Sequence, residues 1–334
     1  MKIAVVHNEV SADDAPDAKD VIMQVEAVTT ALRSLGYRVA HLECTLNLED
    51  FALKVNELKP QLVFNLVESL GGQGSLIHLF PFLLEGLAIP YTGSKAEAIR
   101  LTSNKIAAKQ HMREAGLPTP DWVGFLPGGK DEGRENVVGR GRTWIIKSLW
   151  EHASIGLDGN SILEADNVTT LVKEMDRRSS LLGGPCFAEE FIAGREFNLS
   201  LLAGDRGPTV MPPAEICFDG FEPDKPRIVD YRAKWDEDSF EYQNTPRRFD
   251  FNDNDGALIE KLRELALHCW EVFGLKGYAR VDFRVDEANK PWILEVNANP
   301  CLSPDAGFSA ALSQAGVSFK DAVQAIVTDA GCIR

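Results

Sequence analysis

The residues best placed to do chemistry lie late in the chain, in Gly277-Tyr278-Ala279-Arg280-Val281-Asp282-Phe283 and Ile293-Leu294-Glu295-Val296-Asn297. Both stretches alternate apolar and polar residues with period two, as half-buried strands do. Between them Asp286-Glu287-Ala288-Asn289-Lys290-Pro291 has the composition of a turn. Folded as an antiparallel hairpin without a bulge, the segment sets Asp282 opposite Glu295 and Arg280 opposite Asn297. Two carboxylates opposed on one sheet face repel each other unless a cation lies between them. Two acidic oxygens and an amide oxygen open to water suit Mg²⁺ held by few protein ligands and by substrate phosphates. The competing reading is a solvated hairpin face with unrelated charges.

Further charges sit at strand ends. Lys147 closes the apolar run Trp144-Ile145-Ile146 and precedes the loop Glu151-His152-Ala153-Ser154-Ile155-Gly156. A lysine there can hold a phosphate as a point charge. In Ala188-Glu189-Glu190-Phe191-Ile192-Ala193-Gly194-Arg195-Glu196-Phe197, apolar and acidic residues alternate up to a glycine break. Gly71-Gly72-Gln73-Gly74-Ser75 follows a strand pattern and opens a helix, where free N–H groups can meet an anion. A tight turn accounts for the same residues.

The elements that must position these groups begin with strands over 2–6, 38–42 and 61–66. A helix with Val21, Val25, Val28, Leu32 and Leu35 on one stripe, stopped by Gly36, and a short helix near 50–58 separate them. This β-α-β-α-β order implies a parallel sheet with helices on its faces. Ile89-Pro90-Tyr91-Thr92-Gly93-Ser94 ends that unit. A helix near 103–115 with Ser103 as N-cap follows, then an exposed glycine-rich loop over 127–142. Strands are expected over 143–147, 186–192, 196–203 and 209–217, and helices over 255–273 and 318–328. The polar segment 222–253 has no period, and loops of that length are usually functional or disordered.

A chain of 334 residues suffices for two or three domains, and 44% hydrophobic with 25% charged residues is ordinary for a globular protein. The net charge of −15 argues against nucleic acid or an anionic membrane as a main partner, though not against a local basic pocket. No apolar run approaches the roughly 20 residues that cross a bilayer, and no signal peptide is seen, so a cytoplasmic location is expected. The six cysteines (Cys44, Cys186, Cys217, Cys269, Cys301, Cys332) are scattered without a CxxC pair and read as free thiols of a reduced compartment. P-loop, GxGxxG, HExxH and GxSxG patterns are all absent.

In chain order the motifs strongly resemble the ATP-grasp superfamily, and within it the D-alanine–D-alanine ligases. The resemblance covers nearly the whole chain. It rests on Ile89-Pro90-Tyr91-Thr92-Gly93-Ser94, Asn104-Lys105, Ile145-Ile146-Lys147, Glu189-Glu190-Phe191-Ile192-Ala193-Gly194-Arg195-Glu196, Asp230-Tyr231-Arg232-Ala233-Lys234, Ala279-Arg280-Val281-Asp282-Phe283 and Glu295-Val296-Asn297-Ala298-Asn299-Pro300. It implies an α/β (α+β ATP-grasp) fold. An N-terminal Rossmann-like parallel-sheet domain over 1–100 would precede a central lobe over 101–185 and a C-terminal lobe over 186–334 that carries the metal site, the two lobes clamping ATP. It also implies an ATP-dependent carboxylate–amine ligase acting on small-molecule substrates such as amino acids, and suggests a homodimer. ATP phosphorylates a carboxylate, and an amine attacks the acyl phosphate to form an amide.

By position, Lys105 and Lys147 would bind the phosphates of ATP, with Ser154 in the loop that follows. Glu189, the backbone of Phe191 and Ile192, and Glu196 would hold adenine and ribose, with Leu294 beneath the ring. Lys234 on the 222–253 segment would reach the γ-phosphate as that segment closes. Asp282, Glu295 and Asn297 would hold two Mg²⁺, with Mn²⁺ an alternative. Arg280 would stabilise the oxyanion of the intermediates. Phosphoryl transfer depends mostly on positioning and charge neutralisation, which lysines and metals supply. A closing lid keeps water from the acyl phosphate.

The chain departs from the family pattern at both substrate subsites. A Ser-Ser pair in the loop is Ala153-Ser154 here, and the Tyr after the lid lysine is Trp235. The Gly-Gly-x-Ser-x-Glu loop reads His7-Asn8-Glu9-Val10-Ser11, where Glu9 is the candidate substitute for the missing acid. The acceptor-gripping segment reads Pro300-Cys301-Leu302-Ser303-Pro304-Asp305-Ala306-Gly307. Asp305 would disfavour a carboxylate-bearing acceptor. These departures imply a ligase with altered substrates. The alternatives are a genuine D-alanine–D-alanine ligase with a rebuilt network, and an ATP-binding protein without ligase activity.

Overall fold

Three β-rich segments of the sequence form three separate sheets, and the cavity they enclose is where the charged motifs meet. The computed structural model describes residues 1–11, 13–124, 138–139 and 141–331. Most of the expected 127–142 loop, and Cys332, lie outside these residues.

The first sheet is parallel, in the order β2-β1-β3, from β1 (Lys2–Asn8), β2 (Arg38–Cys44) and β3 (Leu62–Leu66). Ile3 lies between Val39 and Leu62. Helices α1 (Pro16–Ser34), α2 (Leu48–Leu58) and α3 (Leu79–Gly86) connect and cover it. The expected β-α-β-α-β order is present. The stripe of Val21, Val25, Val28 and Leu32 on α1 is buried. It packs against Ile3, Val5, Leu62 and Phe64, and also against Phe308, Val323 and Ile326 from the far end of the chain. The glycine loop does meet an anion, but one from the protein: Gly74 N–H donates to Glu151 Oε1 at 3.2 Å.

Helix α4 (Ala96–Ser103) and helix α5 (Lys105–Glu114) replace the single helix expected near 103–115. The break is at Asn104, whose backbone is extended and whose side chain accepts from Ala107 N–H at 2.9 Å. Asn104 is therefore the N-cap, and Ser103 is the last residue of the preceding helix. An Asn ranks with Ser as a cap, so the sequence did not separate them.

The second sheet contains β4 (Trp122–Val123), β5 (Thr143–Ser148), β6 (Ile162–Glu164) and β7 (Cys186–Glu190), in the order β4-β7-β5-β6 and fully antiparallel. Helix α6 (Val168–Arg178), not foreseen, packs Leu171 and Met175 on it. Strand β7 lies inside this sheet, and the chain passes to the third sheet at Gly194.

The third sheet has six strands: β8 (Arg195–Leu202), β9 (Thr209–Val210), β10 (Ala214–Ile216), β11 (Arg247–Arg248), β12 (Tyr278–Val285) and β13 (Pro291–Asn297). The strand expected over 209–217 is split by Pro212-Pro213, which have no N–H for the ladder. The 222–253 segment holds two short helices, α7 (Tyr231–Trp235) and α8 (Phe240–Gln243). Helix α9 (Gly256–Val272) buries Leu258, Leu262, Leu265 and Cys269 against the back of this sheet. Helices α10 (Gly307–Gln314), not foreseen, and α11 (Phe319–Asp329) end the described chain.

The hairpin of β12 and β13 has the expected pairing at its chemical end: Arg280 faces Asn297 and Asp282 faces Glu295. It is not bulge-free. Phe283 faces Ile293, so Leu294 is an extra residue on β13. A bulge re-aims side chains. Here the alternation of burial fails at Leu294 and Glu295, which are both half-buried and both line the cavity.

Candidate active site

A cavity of about 690 Å³ opens between the second and third sheets and reaches the first. Fourteen of the fifteen expected site residues line it: Lys105, Lys147, Ser154, Glu189, Phe191, Ile192, Glu196, Lys234, Arg280, Asp282, Leu294, Glu295, Asn297 and Asp305. Glu9 does not. It is exposed at the end of β1, away from the cavity.

Lys105 is the first residue of α5 and is buried; its Nζ donates to the Glu151 carbonyl at 2.7 Å. Burial holds its ammonium below the usual lysine range although Glu295 pulls the other way. One turn on, Lys109 is also buried; it donates to Thr119 Oγ1 at 2.8 Å and pairs with Glu189. The other Glu189 oxygen lies 2.5 Å from Lys147 Nζ. Burial alone would push the Glu189 carboxyl up, but the two lysines outweigh it and hold it below the usual range. Both oxygens of Glu189 are thus engaged by lysines, so its side chain positions Lys147. Lys109 was missed in the sequence, although its i,i+4 spacing from Lys105 on a helix was visible.

Glu196 on β8 pairs with Arg284 at 3.2 Å, and burial pushes its carboxyl up. Arg280 grips Asp282 with two bonds, Nε to Oδ1 at 2.8 Å and Nη2 to Oδ2 at 2.9 Å. Asn198 Nδ2 also donates to Asp282 Oδ1, at 2.9 Å. Glu295 lies 3.4 Å from His152 Nδ1. Its carboxyl is held well below the usual range: Lys105, His152 and Lys234 overcome a burial effect of opposite sign. Asn297 Oδ1 accepts from Asn299 N–H at 3.0 Å. Lys234 on α7 is pushed down by burial and by Arg280. Ser154 Oγ donates to the Val229 carbonyl at 2.9 Å, and Trp235 Nε1 to the Ala153 carbonyl at 3.0 Å, so the loop after β5 and the 222–253 segment are tied together.

Two carboxylates and an amide oxygen are a hard donor set, and they come from adjacent strands of one hairpin. No cluster of three or more His, Cys, Asp or Glu that could hold a metal occurs among the described residues.

The wall toward the first sheet is acidic and was not foreseen. Glu68, just past the end of β3, accepts from Gln24 Nε2 at 2.8 Å. Asp20 accepts from Ser303 Oγ at 2.7 Å and from the Cys301 thiol at 2.9 Å. Tyr231 of the 222–253 segment donates to Asp17 at 2.8 Å. The signal for Glu68 was its place at the carboxyl end of a parallel strand, where open α/β sheets bind ligands.

The family model described as D-ala D-ala ligase C-terminus matches residues 111–328. The D-alanine–D-alanine ligase of Desulforudis audaxviator is 32% identical over 301 residues, covering 90% of each chain. That of Moorella thermoacetica is 30% identical over 339 residues, covering 98% of each. A crystal structure of the Bacillus anthracis D-alanine–D-alanine ligase with ATP superposes with a TM-score of 0.70 at 19% identity, covering 99% of this chain and 97% of the other. The Coxiella burnetii enzyme gives 0.68 at 17% identity, covering 99% and 95%. The three-sheet architecture around one cavity is thus the ATP-grasp fold. The chain belongs to the D-alanine–D-alanine ligase family, ATP-dependent enzymes that form a carbon–nitrogen bond. No helix among the described residues is long and apolar enough to cross a membrane.

Proposed function

We propose that this ligase joins a carboxylate to an amine through an acyl phosphate, with substrates other than a pair of D-alanines. The observation that carries the first half is one cavity lined by Lys105, Lys147, Lys234 and Arg280 together with Asp282, Glu295 and Asn297. In this reading Lys105 and Lys147 hold phosphates of ATP. The backbone of Phe191 and Ile192 meets adenine, Glu196 meets the ribose, and Leu294, turned inward by the bulge, packs beneath the ring. Lys234 meets the γ-phosphate, and Ser154 holds the loop over it. Asp282, Glu295 and Asn297 would hold two Mg²⁺, with Mn²⁺ an alternative, supplying charge neutralisation of the phosphates. Arg280 would face the oxyanion of the intermediate, beside Asp282, which it binds through two bonds and which is among the residues that would hold the metal. Lobes over 1–100, 101–185 and 186–334 would close on the nucleotide, with β7 contributed to the central one.

Changed substrates are supported by the wall that faces the first sheet. Trp235 stands after the lid lysine and Ala153 in the loop, and the acids reaching the cavity are Asp17, Asp20 and Glu68. The second reading, a genuine D-alanine–D-alanine ligase, is favoured by the names of the relatives that align with 90% or more of the chain. ADP release with Mg²⁺ against D- and L-amino acids, dipeptides and polyamines, singly and in pairs, separates the two. Turnover with D-alanine alone, with the dipeptide detected by mass spectrometry, establishes the second reading. Silence with D-alanine and turnover with another pair establishes the first.

A further inference from the structure

Strand β12 carries Arg280, Asp282 and Arg284 two residues apart, on one face, and all three line the reaction cavity. Across the ladder Asp282 faces Asn198 and Arg284 faces Glu196, both on β8. Asp282 is gripped by Arg280, and Glu196 pairs with Arg284 at 3.2 Å. Among the described residues no other cation forms an ion pair with Glu196. Arg284 is only 3% exposed, and two of its donors go to backbone. Nη1 donates to the Gly194 carbonyl at 3.0 Å, and Nη2 to the carbonyl of Arg227. The guanidinium carbon lies 5.5 Å from the centre of the Phe191 ring and 5.7 Å from that of Phe218. One side chain thus joins the turn after β7, the early part of the 222–253 segment and the Glu196 carboxylate. A planar guanidinium anchored on two carbonyls presents its remaining donors in a fixed direction, and it holds a carboxylate where a flexible ammonium would not.

We propose that Arg284 is a positioning residue for the nucleotide: it fixes the Glu196 carboxylate as acceptor for a ribose hydroxyl, and so makes the enzyme select a ribonucleotide over its deoxy form. The proposal rests on the reading above in which Glu196 meets the ribose, and it adds what holds that carboxylate in place. An acceptor held in one orientation is left unpaired when the hydroxyl is missing, which is how a polar site rejects a deoxy analogue. An acceptor free to turn elsewhere loses most of that discrimination.

The experiment is calorimetric titration with ADP, 2′-deoxy-ADP and 3′-deoxy-ADP in the presence of Mg²⁺, which requires no second substrate. Wild-type enzyme should bind ADP at least about 10-fold more tightly than one of the two deoxy forms. In Arg284→Met the Kd for ADP should rise roughly 10-fold while that for the rejected deoxy form stays within about twofold, so the ratio collapses. Arg284→Lys keeps the charge without the fork and should give an intermediate ratio. Arg284→Met leaves Glu196 without its partner, so the double variant Arg284→Met/Glu196→Gln, which removes both charges, serves as the folded control. It should show the same collapsed ratio with no further loss. Glu196→Gln alone tells the two possible failures apart. If it collapses the ratio while Arg284→Met and Arg284→Lys keep the wild-type value, the proposal is overturned and the ribose reading stands. If wild type does not discriminate, or Glu196→Gln keeps the ratio, the ribose reading fails and the proposal falls with it.

Discussion

At Glu68 burial decides the charge. Its carboxyl is pushed up to about 7, first by burial and then by Asp20 and Asp17, against the opposing bond from Gln24. A carboxyl raised in the folded state binds a proton that the unfolded chain has already released. Stability from it is full below the unfolded value, near 4.5, and is lost as pH rises toward 7. Glu68→Gln should therefore flatten a fall of at most about 3 kcal/mol in unfolding free energy between those limits, read by urea titration at several pH values. A wild-type curve already flat across that window would refute the assignment. The buried pair of Lys109 with Glu189 gives a second residue-scale prediction. Glu189→Gln leaves two lysines without their anion and should cost about 3–5 kcal/mol, measured in the same way. At this scale the sequence was readable for charges lying in motifs; Lys109 and Glu68 carried only a helical spacing and a strand-end position, and Asp20 carried no signal. Their partners lie on segments far apart in the chain, and no local pattern records those contacts.

The elements were more legible where period and length were both long. Strands β1, β3, β8 and β12 and helices α1, α9 and α11 fall close to their expected ranges, because each carries several turns or repeats of one pattern. Two-residue strands and a single extra residue have no period to read. The bulge at Leu294 is the case that matters, since it brings Leu294 and Glu295 to the same cavity. The turn between β7 and β8 shows the opposite situation, a feature fixed by one residue. Gly194 has φ +133°, and a side chain there would meet the Val285 carbonyl at 2.1 Å. Its own carbonyl accepts from Arg284, which pairs with Glu196. Gly194→Ala should lower stability by more than about 2 kcal/mol and raise the KM for ATP, because the backbone shift displaces Glu196. A normal melting temperature with unchanged KM would contradict this. Asp282→Asn and Glu295→Gln should each abolish Mg²⁺-dependent ADP release; undiminished release in both variants would rule out the hairpin as the metal site.

On the scale of the whole molecule, the cavity is closed by a bond between distant parts. Tyr231, on the segment that carries Lys234, reaches Asp17 on α1. Removing that hydroxyl with Tyr231→Phe should leave the fold intact and let residues 222–253 open more often. Trypsin should then cut there severalfold faster, and a non-hydrolysable ATP analogue should restore protection. Equal cleavage rates in the two proteins would show that the bond does not hold the segment. The three-sheet plan itself was legible through resemblance of motifs. The exact sheet that receives β7 was not, because Cys186–Glu190 could extend either neighbour by its pattern alone.

The packing of the first sheet against the last helices has a consequence for how the chain is made. Val21, Val28 and Leu32 of α1 share a core with Val323, Ile326 and Val327 of α11, and Tyr37 bonds to Gln324. During synthesis the ribosome delivers β1 and α1 well before α11, so their apolar surface waits for nearly three hundred further residues before that cover arrives. This segment is thus made long before it is sealed, and a chaperone that shields nascent apolar helices has a long task here.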